Sequence, residues 1–233
     1  MADKERIARL LNAYRDEIRA KSPKSLAAWQ GNRAVMPAGV GSVFRLADPF
    51  PMVVKRASGA RVWDADDNEY LDFMLGFSVM ILGNAPDEVQ EAIRDALPGG
   101  THYGQCHEHE YEFAKLFCDM VPGVDKVAFC NSGTEATMYA LRLARATTGR
   151  PLVAKFEGGY HGMSAEAQMS LAPTRLANFP QAVPDSAGIP ASVAAEMLIA
   201  PFNDAAAVES LVREHKGEIA AIFLGYLSTA LAQ

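Results

Sequence analysis

Four polar or flexible residues in the middle of the chain have the types and spacing of an anion site. Ser132, Gly133, Thr134 and Glu135 follow a short apolar run at 127–130 and open a helical pattern. Ser132 is a favourable N-cap, and Glu135 three residues later completes a capping box. A helix start exposes backbone N–H groups and the positive end of the helix dipole, which together attract phosphate. On these residues alone, an ordinary capped helix that binds nothing remains an alternative.

A second candidate loop, at 157–162, follows the apolar run 152–156 and includes Tyr160 and His161. Tyr160 offers a flat aromatic face and His161 a titratable donor. If both apolar runs are buried parallel strands joined by one helix, their carboxyl ends lie at one sheet edge, where ligands gather. The sequence therefore predicts that the two loops meet, although Tyr160 could equally be a half-buried loop aromatic.

The rest of the chain alternates strand and helix patterns, which predicts an α/β fold with a largely parallel sheet. Further buried strands are expected at 196–200 and 219–224, with helices at 86–97, 110–120, 134–148 and 204–215. Residues 3–20 have helical apolar spacing, so an amphipathic helix is expected whose apolar face needs a partner. Residues 30–51, rich in Gly and Pro, indicate an ordered loop or arm, and 171–189 a long surface loop.

Two segments between the arm and the first long helix allow different interpretations. Residues 53–73 have a strand–turn–strand pattern, and the acidic cluster at 64–68 is interpreted as its solvated turn. That cluster lacks the glycine and distal glutamate of a calcium-binding EF-hand loop. Residues 74–83 are apolar and interrupted by glycines, so they are either a buried loop near a site or a core segment.

Composition excludes several classes of function. The net charge is −6 and no basic run is present, so no nucleic-acid partner is expected. Three cysteines fit no zinc spacing, and three nearby histidines on a loop need not converge, so no metal site is expected: Cys106, Cys118, Cys130, His102, His107 and His109. The charged N-terminus and the lack of a membrane-length apolar run predict no membrane association and a soluble, cytoplasmic protein.

Taken together, these motifs resemble the class III aminotransferases, which depend on pyridoxal 5'-phosphate and have the type I fold. The likeness is strongest to members of the glutamate-1-semialdehyde aminomutase kind and runs from about residue 37 to residue 224. Several specific segments occur in the family's order: 37–42, 62–72, 81–83, 131–137, 142–145, 155–162 and 200–204.

The resemblance implies an amino-group transfer through a Schiff base between pyridoxal phosphate and a small-molecule amino donor or acceptor. By position, the cofactor phosphate belongs at Ser132, Gly133 and Thr134, with Glu135 steadying the helix start. Tyr160 corresponds to the aromatic that stacks on the cofactor ring, and His161 lies beside it. The substrate side corresponds to Ser42, Phe77 and Ser78. The complete family member is expected to be a homodimer, and whether it is a transaminase or an aminomutase stays open.

The family's Schiff-base lysine and ring-nitrogen carboxylate have no counterpart in this sequence, so no catalytic residue is assigned. No lysine of the chain lies in a segment like the family's lysine motif, and 225–233 departs from the family. We therefore expect a truncated, N-terminal portion: residues 1–60 as helix and arm of the small domain, and 61–233 as an incomplete large domain. A non-catalytic remnant that binds phosphate or a homologous subunit is the alternative. A cut parallel sheet would leave an open apolar edge, so poor solubility or reliance on a partner chain is expected.

Overall fold

A computed structural model describes residues 2–172 and 177–225 of the chain, which divides after His107 into two units. The first unit has two N-terminal helices, a three-stranded antiparallel sheet, a short turn and a further helix. Their bounds are α1 Ala2–Lys21, α2 Pro23–Asn32, β1 Val54–Ser58, β2 Arg61–Asp64, β3 Glu69–Leu71, α3 Leu75–Ser78 and α4 Asp87–Ala96.

Helix α1 confirms the expected N-terminal helix and leaves its apolar residues exposed. Ile7 and Leu10 keep 55% and 62% of their surface open, so within this unit the apolar face of α1 stays largely uncovered. Helix α2 was not predicted, although Ser22 followed by Pro23 at the first helical position is a start signal. The arm after it has two short 3₁₀ turns, Pro37–Gly39 and Val43–Arg45.

The acidic turn of the hairpin is not merely solvated, so that interpretation was wrong. Asp64 is fully buried and accepts hydrogen bonds from Ser22 Oγ at 2.9 Å and Tyr70 OH at 3.1 Å. The Asp66 carboxylate accepts the N–H groups of Lys24 and Ser25 at the start of α2. The Asp66 carboxylate therefore satisfies backbone donors of a helix that is distant in sequence, and the charge pattern of the turn alone could not predict this contact.

The apolar segment after the hairpin is neither a buried loop nor core, because large side chains such as Ile81 and Phe77 are more than half exposed. All four residues of α3 have positive φ, so this short turn is left-handed. The Asp72 carboxylate stabilises the start of this turn, because it accepts the N–H groups of Met74 and Leu75, each at 2.9 Å.

The second unit contains a parallel sheet of three strands in the order β5–β4–β6, which confirms the predicted α/β class. The strands predicted at 152–156, 196–200 and 219–224 all form. The unit's elements are α5 Glu108–Met120, α6 Gly133–Thr148, β4 Leu152–Phe156, α7 Ala191–Ala195, β5 Met197–Ala200, α8 Ala205–Glu214 and β6 Ile219–Phe223.

Apolar residues cover both faces of the central strand β4, as a parallel sheet requires. One face packs Val153 against Leu141 of α6 and Met169 of the following segment. The other packs Ala154 against Leu211 of α8. Helix α6 ends at Gly149, whose positive φ and N–H bond to the Arg145 carbonyl form the expected stop.

The buried strand expected at 127–130 does not form in the described chain. These residues belong to no helix or strand ladder, and Phe129 is 48% exposed. An apolar run becomes a buried strand only when neighbouring strands pair with it, and the sheet β5–β4–β6 does not reach it.

The structure does not test the predicted domain boundary or the predictions made for residues outside the described ranges. The division at residue 60 stays a prediction, and the paired strands β1 and β2 lie on either side of it. The divergence from the family at Tyr226–Gln233, and Pro173 of the long loop, lie outside the described residues. Across residues 2–172 and 177–225, no helix combines the length and apolar character needed to cross a membrane.

Candidate functional site

The start of α6 is built as the sequence predicts. Ser132 adopts an extended backbone as N-cap, and its Oγ accepts the Glu135 N–H at 3.2 Å. The Glu135 carboxylate reaches back to accept the N–H of Asn131 at 2.7 Å. This capping leaves the N–H groups of Gly133 and Thr134, which have no intrahelical acceptor at these positions, available to a ligand.

Direct hydrogen bonds join this helix start to the aromatic loop. Thr137 Oγ1 donates to the His161 carbonyl at 2.7 Å, and Thr134 Oγ1 accepts the Met163 N–H at 3.2 Å. The start of α6 and the aromatic loop are therefore in direct contact. Binding by these residues stays a prediction, but the juxtaposition it requires is present.

Gly162 of the aromatic loop lies directly against Thr134 in the first turn of α6. Its φ is +105°, and a Cβ built there would stand 2.7 Å from Thr134 Oγ1 and 2.8 Å from Thr134 Cα. A side chain would therefore collide with the first turn of α6. Only glycine satisfies both the backbone conformation and the space at this position.

Tyr160 and His161, the aromatic and the titratable residue of the loop, differ in burial. Tyr160 is 38% exposed, so part of its surface is open to a ligand. The His161 ring packs on Phe223 of β6, with centroids 5.3 Å apart. Its Nε2 atom is buried and has no hydrogen-bond partner among the described residues. An orphaned buried nitrogen beside a helix start marks a place where a polar ligand atom fits.

His161 should remain neutral at physiological pH. Burial, and secondarily the charge of Lys155, lowers its pKa to about 4. Because the unfolded chain binds this proton near pH 6.5, the contribution to stability is complete above that pH. It is lost as pH falls toward 4.

The expected result is a free energy of unfolding that declines between pH 6.5 and pH 4, measured by urea denaturation at several pH values. His161→Gln removes the titrating group and should flatten this decline. Equal slopes for the variant and the unmodified chain would contradict the assignment.

The predicted substrate-side residues lie in the first unit and partly come together there. Ser42 precedes the turn Val43–Arg45, and Phe44 of that turn packs edge-on against Phe77 with centroids 6.4 Å apart. Phe77 and Ser78 both have positive φ. A backbone held in this sparsely populated region is typical of ligand-contacting segments.

Sequence reasoning missed three residues that organise the site. Thr137 and Gln168 each donate to a carbonyl of the aromatic loop, and Lys155 donates to a carbonyl of the segment that follows it. The spacing of Thr137, three residues after Thr134 on one helix face, was a usable signal. Gln168 and Lys155 act through tertiary contacts that no local pattern encodes. The described part of the chain contains no cluster of three or more metal-ligating side chains.

Known proteins match this chain over most of its length. The family described as "Aminotransferase class-III" matches residues 43–225. Glutamate-1-semialdehyde 2,1-aminomutase of Aquifex aeolicus is 42% identical over 193 residues, which cover 82% of this chain and 45% of that protein. The chain thus spans about half the length of the curated relatives it matches.

Solved structures also match this chain over most of its length. An omega-transaminase from Sphaerobacter thermophilus has a TM-score of 0.82 at 36% identity, covering 88% of this chain and 48% of that one. A transaminase with PLP bound has a TM-score of 0.81 at 33% identity, covering 86% and 46%.

The predicted type I fold is therefore confirmed over the matched part. The predicted cofactor, pyridoxal 5'-phosphate, agrees with the family and with the PLP-bound neighbour. The family match covers more than half of the chain and includes both loops of the site. By this match and by its fold, the chain belongs to the class III aminotransferases.

Proposed function

We propose that this chain forms the phosphate-binding and ring-stacking part of a pyridoxal-phosphate site in an aminotransferase or aminomutase. The observation that carries the proposal is the hydrogen bond from Thr137 Oγ1 to the His161 carbonyl, which ties the helix start to the aromatic loop. The N–H groups of Gly133 and Thr134 and the hydroxyls of Ser132 and Thr134 hold the phosphate, and Glu135 keeps the helix start capped.

The residues fit the cofactor on two structural grounds. Ser132 and Gly133 at the anion-attracting end of α6 are exposed. Beside them, the buried His161 Nε2 needs a polar partner, and Tyr160 keeps 38% of its surface exposed. When bound, pyridoxal phosphate supplies an electron-withdrawing ring that stabilises negative charge next to the substrate amine. The chain's own part is to fix the phosphate, stack Tyr160 on the ring and keep His161 neutral beside it.

Substrate contacts are proposed for the first unit. We propose that Ser42, Phe77 and Ser78 contact a small-molecule amino donor or acceptor. The support is the packing of Phe44 on Phe77 and the left-handed backbone of α3. Aminomutase chemistry is favoured by the curated relative named above, and transamination by the two solved structures named with it.

We further propose that the Schiff-base lysine is not among the lysines of this chain. Lys155 is fully buried, with its ammonium bound to backbone carbonyls. The other lysines are exposed: Lys4, Lys21, Lys24, Lys55, Lys115, Lys126 and Lys216. Catalysis would then need a lysine that this chain does not supply, and the non-catalytic alternative is a scaffold that binds the cofactor phosphate.

Borohydride reduction with pyridoxal phosphate, followed by peptide mapping, separates the two possibilities. We expect saturable binding without stoichiometric labelling of any one lysine. A full-occupancy label on a single lysine would show that this chain holds the Schiff-base residue after all. Absence of saturable binding would refute the cofactor site itself.

A second copy or a homologous subunit is the proposed macromolecular partner. The exposed apolar residues of α1 and α5 support it, with Leu10 and Phe113 each more than half open. Sedimentation of the purified chain would test association with a second copy, and a monodisperse monomer that unfolds cooperatively would contradict it.

Cytoplasmic location is also proposed, supported by three cysteines that remain unpaired.

Thr134→Val should weaken binding of pyridoxal phosphate about tenfold, because it removes a hydroxyl that donates to the phosphate. Thr134→Ser keeps the hydroxyl and should bind within about twofold of the unmodified chain. Fluorescence titration measures both dissociation constants. If valine and serine variants bind equally well, the Thr134 hydroxyl takes no part in the site.

A further inference from the structure

Lys155 on β4 is a buried cation that the cofactor site does not directly use. Its side chain is fully buried, on the strand face that packs Val153 against Met169. Its Nζ donates to the Ala167 carbonyl at 3.2 Å and to the Met169 carbonyl. Burial lowers its pKa to about 8, a shift opposed by the charge of Asp185, so at neutral pH it remains mostly an ammonium.

Stability alone does not account for this lysine. Burying an ammonium costs several kcal/mol, and an apolar side chain of similar length often packs as well or better. Asp185 is not its hydrogen-bond partner in the structure, because that carboxylate accepts the N–H groups of Leu171 and Ala172. What the ammonium does is hold two carbonyls of one irregular segment, residues 163–170, against the strand.

That segment supports both ends of the aromatic loop. The Gly158 N–H donates to the Ser170 carbonyl at 2.8 Å. At the other end, Gln168 Nε2 donates to the Gly162 carbonyl at 3.0 Å. Tyr160 and His161 lie between these two supports. An interaction that holds residues 163–170 in place therefore also sets the positions of the Tyr160 ring and the His161 Nε2 atom.

We propose that Lys155 is a positioning residue: its buried ammonium holds residues 163–170 and, through them, sets Tyr160 and His161 for the cofactor ring. The inference rests on the proposed function for the identity of the ligand. The mechanical part, that Lys155 orders the loop, rests only on the hydrogen bonds above. The same positive charge also favours the neutral form of His161.

The test compares Lys155→Met with the unmodified chain, and Lys216→Met, at an exposed lysine of the same unit, is the matched control. Methionine keeps the length and apolar contacts but removes the charge and donors. Hydrogen exchange of the free chain should accelerate about tenfold or more within 158–170 in Lys155→Met, with β4 and β5 unchanged. The thermal midpoint should not fall, and Lys216→Met should match the unmodified chain throughout.

Binding then tests the functional part. Pyridoxal phosphate should bind Lys155→Met about tenfold more weakly. Inorganic phosphate, which needs only the start of α6, should bind unchanged. Three results for Lys155→Met would each overturn the positioning role: equally weakened binding of pyridoxal phosphate and inorganic phosphate, unchanged hydrogen exchange in 158–170, or loss of cooperative folding. If the unmodified chain binds no pyridoxal phosphate, the proposed function fails and the exchange data alone decide the role of Lys155.

Discussion

Gly162→Ala should strongly weaken the binding of pyridoxal phosphate and destabilise the second unit. The added Cβ would lie 2.8 Å from Thr134 Cα and 3.1 Å from Thr134 Cβ, so either the aromatic loop or the start of α6 must move. The positive φ adds strain of about 1–2 kcal/mol, and overpacking adds about 1–3 kcal/mol. Because Thr134 belongs to the phosphate cradle, we expect the dissociation constant to rise about 100-fold.

Gly188→Ala is the matched control, since Gly188 has a φ of +85° but nothing within 4 Å of a Cβ placed there. It should cost only the backbone strain, about 1–2 kcal/mol, and leave the dissociation constant unchanged. Urea denaturation and fluorescence titration measure the two effects. If both alanine variants lose binding equally, the contact between Gly162 and Thr134 is not what forms the site.

The site was predictable where local sequence determines the geometry. Ser132 and Glu135 form the helix start from four consecutive residues, and Gly149 ends the same helix. The strands β4, β5 and β6 were recoverable because both faces of a central parallel strand are apolar. The meeting of the two loops was predicted from a shared edge of a parallel sheet. The contact between Thr137 and His161 is present, although the run at 127–130 forms no strand of that sheet.

Prediction failed where the partner of a residue is distant in sequence. The run at 127–130 has the composition of a buried strand, but burial depends on neighbouring strands, which its own residues do not specify. Lys155 looked like an ordinary lysine because its carbonyl partners belong to an irregular segment. In the same way, the acidic turn looked solvated because its partners Ser22 and Lys24 are each 42 residues away along the chain.

That turn carries the second large prediction, because Asp64→Asn should destabilise the first unit by about 3 kcal/mol. The Asp64 carboxylate accepts hydrogen bonds from Ser22, Tyr70 and the Asn68 side chain, as well as from backbone N–H groups. An asparagine of the same shape places an NH₂ group against donors, so at least one buried donor loses its acceptor. Urea denaturation followed by the fluorescence of Trp29 and Trp63 would report the loss.

The pH dependence gives an independent check on Asp64. Burial raises its pKa, but hydrogen bonds from Asn68, Ser22 and Tyr70 outweigh that effect and hold the pKa below its ordinary value. The stabilisation is therefore complete above the unfolded pKa, about 3.9, and is lost as pH falls through the lower folded value. Asp64→Asn should reduce this acid-side loss. Asp67→Asn, in the same turn, removes an exposed carboxylate paired with Lys55 and should change little at neutral pH. A comparable loss in both variants would mean that the turn's net charge, and not the buried acceptor, stabilises the unit.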